Sequence, residues 1–230
     1  MKRRPTPIIE AMRLYVVTHP ESIRGIYDSW PACQAAVAGV AGARYQAVAS
    51  RAEAEAMLRG EGIRLSPGTY AFVDGNHLGG IGVVLVEQTR GEPRVVAEVG
   101  TTVYEVFRGA EVPGLETRPR ITAAVDRLRN IVPELGALYE ALRRAAPGTA
   151  LTVVHDYEGV GAWMEGRWKT KDPVVTAIVA ACRALVAERR LAVTFRRQRG
   201  HQSTFAGRHD FAAFNGRADT LAAEAAMRDT

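Results

Sequence analysis

The stretch TYAFVDGNHLGGIGVVLVEQTRGEPRVVAEVGT, residues 69–101, decides the fold. It holds three apolar runs of strand length, TYAFVDG, IGVVLVEQ and RVVAEVGT, separated by one glycine-rich turn and one turn containing Pro93. Valine-rich runs broken by turn residues read as strands, and connections this short leave no room for a crossover helix. The stretch therefore predicts an antiparallel meander. Its first strand ends on Asp74, followed by Gly75 and Asn76, and a carboxylate at the tip of an apolar strand needs a physical account.

Downstream, Ile131, Leu135, Leu138 and Leu142 recur at three- and four-residue spacing and predict a helix over about 121–146, with Pro133 kinking it or splitting it near 132. ALTVVHD is the fourth strand and ends on Asp156, with a helical turn after it. DPVVTAIVAACRALVAERR is a helix capped by Asp172, LAVTFRR a fifth strand, and NGRADTLAAEAAMR a terminal helix after a polar loop reaching to about 213. The order implies an α/β layer fold with a mixed five-stranded sheet. Residues 101–120 show no clean period. Upstream, RLYVV, GIYDSW, PACQAAVAGV, ARYQAV and SRAEAEAMLRG give a ββαβα pattern. The expected division is a small domain over 13–60, a linker over 61–68 and a larger domain over 69–227.

The 230 residues, 47% hydrophobic and 24% charged, can bury one core and a small additional module. Lys and Arg total 30 against 25 Asp and Glu, a net +5, which suits a polyanionic partner. Cys33 and Cys182 lie far apart and no charged region followed by an apolar one opens the chain, so a reducing, cytoplasmic setting is expected. No apolar run approaches the ~20 residues of a membrane span. The opening MKRRPTP reads as a solvated basic terminus.

Carboxylates recur in comparable places. Asp74 and Asp156 each close an apolar strand, Glu134 lies in the first turns of the helix between them, and Asp219 stands beside Ala218 on the last helix. First and fourth strands of a mixed sheet can be parallel neighbours, so these groups can converge on one cleft. Singly, each is explained as a strand-end turn or a surface charge. Together they would repel, and the natural compensation is Mg2+, with Mn2+ as the alternative, held by carboxylate oxygens and water. Two such ions ~4 Å apart suit phosphodiester hydrolysis. His201, after the fifth strand, is a candidate for proton transfer. Arg196, Arg197 and Arg199 are either phosphate contacts or a solvated strand edge.

Residues 69–227 resemble the type 1 ribonuclease H family through Asp74-Gly75, Asn130 with Glu134-Leu135, Asp156, Asn215 through Asp219 to Ala222, and the Gly-His of RGHQS. The stretch DYEGVGAWMEGRWK, residues 156–169, looks like a bacterial subgroup of that family, and residues 14–58 resemble its small hybrid-binding, viroplasmin-like domain. The resemblance implies a ribonuclease H-like mixed five-stranded sheet with flanking helices, preceded by the small ββαβα domain. It also implies an endoribonuclease that cuts the RNA strand of RNA/DNA hybrids and leaves 5′-phosphate and 3′-hydroxyl ends. Asp74, Glu134, Asp156 and Asp219 would hold two Mg2+ ions, and His201 would move the proton.

The partner implied is an RNA/DNA hybrid duplex, without a membrane or a small-molecule cofactor. Tyr15, Arg24, Trp30 and Arg44 would touch it from the small domain, and Gly75, Asn76, Asn130 and Arg199 from the large one. Gln46 and Ala47 stand where the small domain usually carries a basic pair, which implies weaker hybrid binding. A catalytically weak hybrid-binding protein is the alternative reading, and DNA strand transfer on the same fold is a third.

Overall fold

The computed structural model describes residues 14–48, 50–60, 64–198 and 210–228. The described residues up to 64 cluster as one compact unit and those from 65 onward as a second. The first unit runs β1 (Leu14–His19), a 3-10 turn (Glu21–Ile23), β2 (Gly25–Tyr27), α1 (Trp30–Val37), β3 (Arg44–Val48) and α2 (Arg51–Leu58). β1 is central and antiparallel to both neighbours. Ser29 and Ser50 start the two helices by accepting the backbone N–H of Ala32 and Glu53. Val16, Val17, Cys33 and Ala54 are fully buried between the sheet and its helices.

The second unit contains β4 (Gly68–Gly75), β5 (Gly80–Gln88), β6 (Arg94–Thr102), α3 (Val103–Phe107), α4 (Arg118–Leu128), α5 (Ile131–Arg144), β7 (Ala150–His155), α6 (Glu158–Met164), α7 (Pro173–Glu188), β8 (Ala192–Arg197) and α8 (Asp210–Arg228). The strand order is β6-β5-β4-β7-β8. β4, β5 and β6 form the antiparallel meander, while β7 pairs parallel with β4 and β8 parallel with β7. This is the ribonuclease H-like mixed sheet, with helices on both faces and the three-stranded unit before it.

Glycines set how closely the helices approach. A Cβ on Gly75 would collide with the backbone of Pro133 and Glu134 in α5. On Gly80 and Gly82 it would collide with the carbonyl oxygens of Ala222 and Ala218 in α8. Gly82 pairs with Asp74, and Gly75 is the next residue along β4. Neighbouring strand positions face opposite sides of a sheet, so α5 and α8 cover opposite faces. Gly82→Ala should therefore lift α8 off the sheet, at a cost of about 3 kcal/mol, and lower the melting temperature by roughly 10 °C. A thermal melt equal to that of wild type would show that the contact is not needed.

Of the two alternatives at Pro133 the split holds: the segment over 121–146 is two helices, broken at Arg129 and Asn130, with Pro133 in the first turn of α5, where a missing N–H does least harm. Residues 101–120, without a visible period, hold α3 and the start of α4. The last helix begins at Asp210 rather than after 213, because Phe211 and Phe214 pack on Phe72 at ring distances of 6.1 and 5.2 Å. Both cysteines are buried and unpaired. No helix among the described residues is long and apolar enough to cross a membrane.

Candidate active site

The register of the parallel pair sets Phe72 opposite Val154. Two residues further along each strand stand Asp74 and Asp156, side by side at the carboxyl edge of the sheet, where open α/β sheets build their sites. The close approach at Gly75 brings the first turn of α5, and with it Glu134, against the same strand end. One carboxylate oxygen from each of Asp74, Glu134 and Asp156 lies within 4.8 Å of the other two. Asp219 lies outside that trio and is exposed. It follows Ala218, whose carbonyl sits on Gly82, and its charge reaches Asp74.

The trio is unfavourable as it stands. Asp74 and Glu134 are only 8% and 3% exposed. Burial, then the charges of Asp156 and Asp219, pushes the Asp74 carboxyl from 3.8 up to about 7. Burial, followed by the charges of Asp74 and Asp156, holds Glu134 well above the usual carboxylate range. Glu134 Oε2 is buried and has no hydrogen-bond partner, an arrangement that costs free energy unless something satisfies it. An all-oxygen set with an orphaned buried acceptor and excess negative charge fits a hard divalent cation such as Mg2+ or Mn2+.

In the first unit, Trp30 sits between Tyr15 and Tyr45, each at a ring-centroid distance of 5.4 Å. Trp30 and Tyr45 are 37% and 36% exposed, so the three rings form a surface platform of the kind on which single strands and sugars pack. Arg24 pairs with Glu21 at 3.0 Å and donates to the Leu58 carbonyl, which ties it into its own unit. Arg44, the first residue of β3, is exposed, whereas Gln46 is buried.

Residues 13–58 match the family model described as Ribonuclease H1 N-terminal domain. No curated protein matches the chain. Among solved structures, the chain is similar to a ribonuclease H1 from the halophilic archaeon Halobacterium salinarum NRC-1, at 21% identity over 70% of this chain and 98% of that one, TM-score 0.45. It is also similar to the N-terminal ribonuclease H domain of a Mycobacterium tuberculosis protein, at 22% identity over 71% and 99%, TM-score 0.45. A third is the LC11 ribonuclease H1 in complex with an RNA/DNA hybrid, at 20% identity over 70% and 98%, TM-score 0.45. The family match covers the first unit, and the likeness to solved structures is one of fold.

The other candidate residues fall as follows. Asn76 Oδ1 accepts the N–H groups of Leu78 and Gly80 at 3.0 and 3.1 Å and so closes the β4–β5 turn. Asn130 stands at the start of α5 with its side chain making no capping bond. His201 and Arg199 lie outside the described residues. Trp163 is buried, while Trp168 is 42% exposed and meets it edge-on at 5.9 Å.

Two groups went unread in the sequence. Tyr45 lies two residues from Ala47, which pairs with Tyr15, so strand alternation alone places it on the Tyr15 face. Glu158 pairs with Arg197 at 2.6 Å, a contact across 39 residues that no local pattern announces. Arg196 lies over the Phe211 ring at 3.6 Å, so neither arginine is a merely solvated strand edge.

Proposed function

We propose that this protein is a divalent-metal-dependent endoribonuclease that cleaves the RNA strand of RNA/DNA hybrids, leaving 5′-phosphate and 3′-hydroxyl ends. The convergence of Asp74, Glu134 and Asp156 at the carboxyl edge of the sheet, with one buried acceptor oxygen unsatisfied, carries the reading. Asp74, Glu134 and Asp156 would hold the ions, with Asp219 completing the set from α8. When bound, the ions supply an activated water and stabilise the leaving 3′ oxygen. The chain's own part is to fix the four carboxylates, to exclude bulk water through the apolar strands that mount them, and to return a proton to the leaving group, a role assigned to His201.

Hybrid selectivity would come from 2′-hydroxyls and backbone shape rather than bases. Asn130 and the Gly75-Asn76 turn border the acids, and Arg199 follows β8 in sequence. On the small domain the Tyr15, Trp30 and Tyr45 rings would pack on the hybrid, with Arg44 as the candidate cation. With Arg24 tied to Glu21 and Gln46 buried, that domain has fewer cations to offer, which favours a weak grip.

The test is to incubate the full chain and Mg2+ with labelled RNA/DNA hybrid, duplex RNA and duplex DNA. Cleavage of only the RNA strand of the hybrid is expected. Binding without turnover would overturn the nuclease and leave the hybrid-binding alternative, and cutting of branched DNA would favour strand transfer.

A further inference from the structure

The turn after β7 is fixed from both sides. His155 Nδ1 meets the Tyr157 carbonyl at 2.9 Å, and the Gln198 N–H donates to the His155 carbonyl at 2.8 Å. Gly159 is pinned because a Cβ there would stand 2.5 Å from Tyr157 and 2.7 Å from Trp163, and Gly161 because a Cβ would meet His155 and Phe195 at 3.0 and 3.1 Å. Arg197, the last residue of β8 and the register partner of His155, closes the remaining side. Its Nε donates to the Asp156 carbonyl at 3.1 Å, and its Nη1 donates to the Glu158 carboxylate at 2.6 Å. One guanidinium thus grips the backbone of a candidate metal ligand and the side chain two residues beyond it.

We propose that Arg197 and Glu158 form a clasp that positions Asp156 for metal binding. Both are positioning residues: neither touches the reacting atoms. The proposal rests on the reading of Asp74, Glu134 and Asp156 as a metal centre. Two physical effects favour it over an ordinary surface ion pair. The fork geometry of arginine serves two acceptors at once and limits how far the Asp156 backbone can turn, which lysine would do poorly. The pairing also neutralises Glu158, a further carboxylate two residues from a cluster that already repels itself, and keeps it from competing for the cation. The two side chains are 37% and 47% exposed, and an ion pair so exposed adds little to stability. Its value lies in orientation, as with the outer partners of metal ligands, whose loss typically weakens metal affinity or activity by about 10–100-fold.

Mn2+ binding to the full chain, followed by electron paramagnetic resonance without substrate, tests the clasp directly, alongside the melting temperature and the Mg2+ concentration for half-maximal cleavage. Arg197→Gln should weaken Mn2+ binding by roughly tenfold or more while the melting temperature stays close to wild type. Arg197→Lys should fall between. Glu158→Gln combined with Arg197→Gln should do less harm than the sum of the two changes, because the stray charge is then absent. Unchanged Mn2+ affinity in Arg197→Gln overturns the clasp, as does a loss of affinity that only parallels a fall in melting temperature. Mn2+ binding that responds to Arg197→Gln in a protein that cuts no hybrid would uphold the clasp and overturn the ribonuclease reading.

Discussion

Asp156→Asn should lower single-turnover cleavage of an RNA/DNA hybrid by roughly 10³-fold at saturating Mg2+, with the protein still folded. Asp156 is half-buried and stands just past the end of β7, so an isosteric amide removes charge without disturbing a packed strand. What it removes is one of three carboxylates whose oxygens lie within 4.8 Å of one another. A metal centre contributes several kcal/mol of transition-state stabilisation, and each 1.36 kcal/mol is a factor of ten in rate, so loss of a shared ligand should cost about three such factors. Glu134→Gln should act in the same direction, since it removes another of the three clustered carboxylates. Cleavage by Asp156→Asn within about tenfold of wild type would remove the residue from the centre and the two-ion reading with it.

The sequence makes the mount of this centre legible and hides its joints. Asp74 and Asp156 stand out because each ends a run too apolar to be a loop, and the short turns of residues 69–101 fix the meander that leaves β4 free to pair with β7. The pairing of β4 with β7 is open from those facts, whereas the full strand order comes from the structure. Glu134 is harder, because α5 carries its own helical period and only the Gly75 contact shows that its first turn reaches the strand end. Gly80 and Gly82 look in the sequence like weak points in a strand, whereas their role is to admit the backbone of α8 and so bring Asp219 toward Asp74.

Other elements were obscured by length or by distance. α3 is five residues long, too short to show a period, although Thr102 and Glu105 form the local capping signature that starts it. The first turn of α8 begins with Asp210-Phe211, whose helical state depends on Tyr70 and Phe72 beneath it. The Glu158–Arg197 pair exists only once β7 and β8 are in register. Local chemistry is readable one residue at a time, whereas contacts between elements need the sheet first.

In a chelator, the wild-type protein should lose stability as pH rises from 5 to 8, and Mg2+ should restore it at pH 8. The Asp74 carboxyl is pushed from 3.8 up to about 7 by burial and by Asp156 and Asp219. Between those values the folded state keeps a proton that the unfolded chain has released, so stability falls as pH rises through the window and levels off above about 7. At about 1.4 kcal/mol per pH unit the part of that window above pH 5 amounts to roughly 3 kcal/mol, on the order of 8 °C in melting temperature for a chain of this size.

Glu134, also raised, works in the same direction. Buried His155, whose pKa is lowered from 6.5 by desolvation, works against it on the acid side of 6.5, so Asp74→Asn is the control that isolates the cluster. That variant should melt higher than wild type at pH 8 in chelator, flatten the pH dependence, and gain nothing from Mg2+. Equal melting temperatures for wild type and Asp74→Asn at pH 8 in chelator would mean that the carboxylates do not strain the fold. The expected opposite result ties stability to the site: acids this close and this buried persist in the folded protein at neutral pH at a standing cost, and the cation that the proposed function calls for would also relieve it.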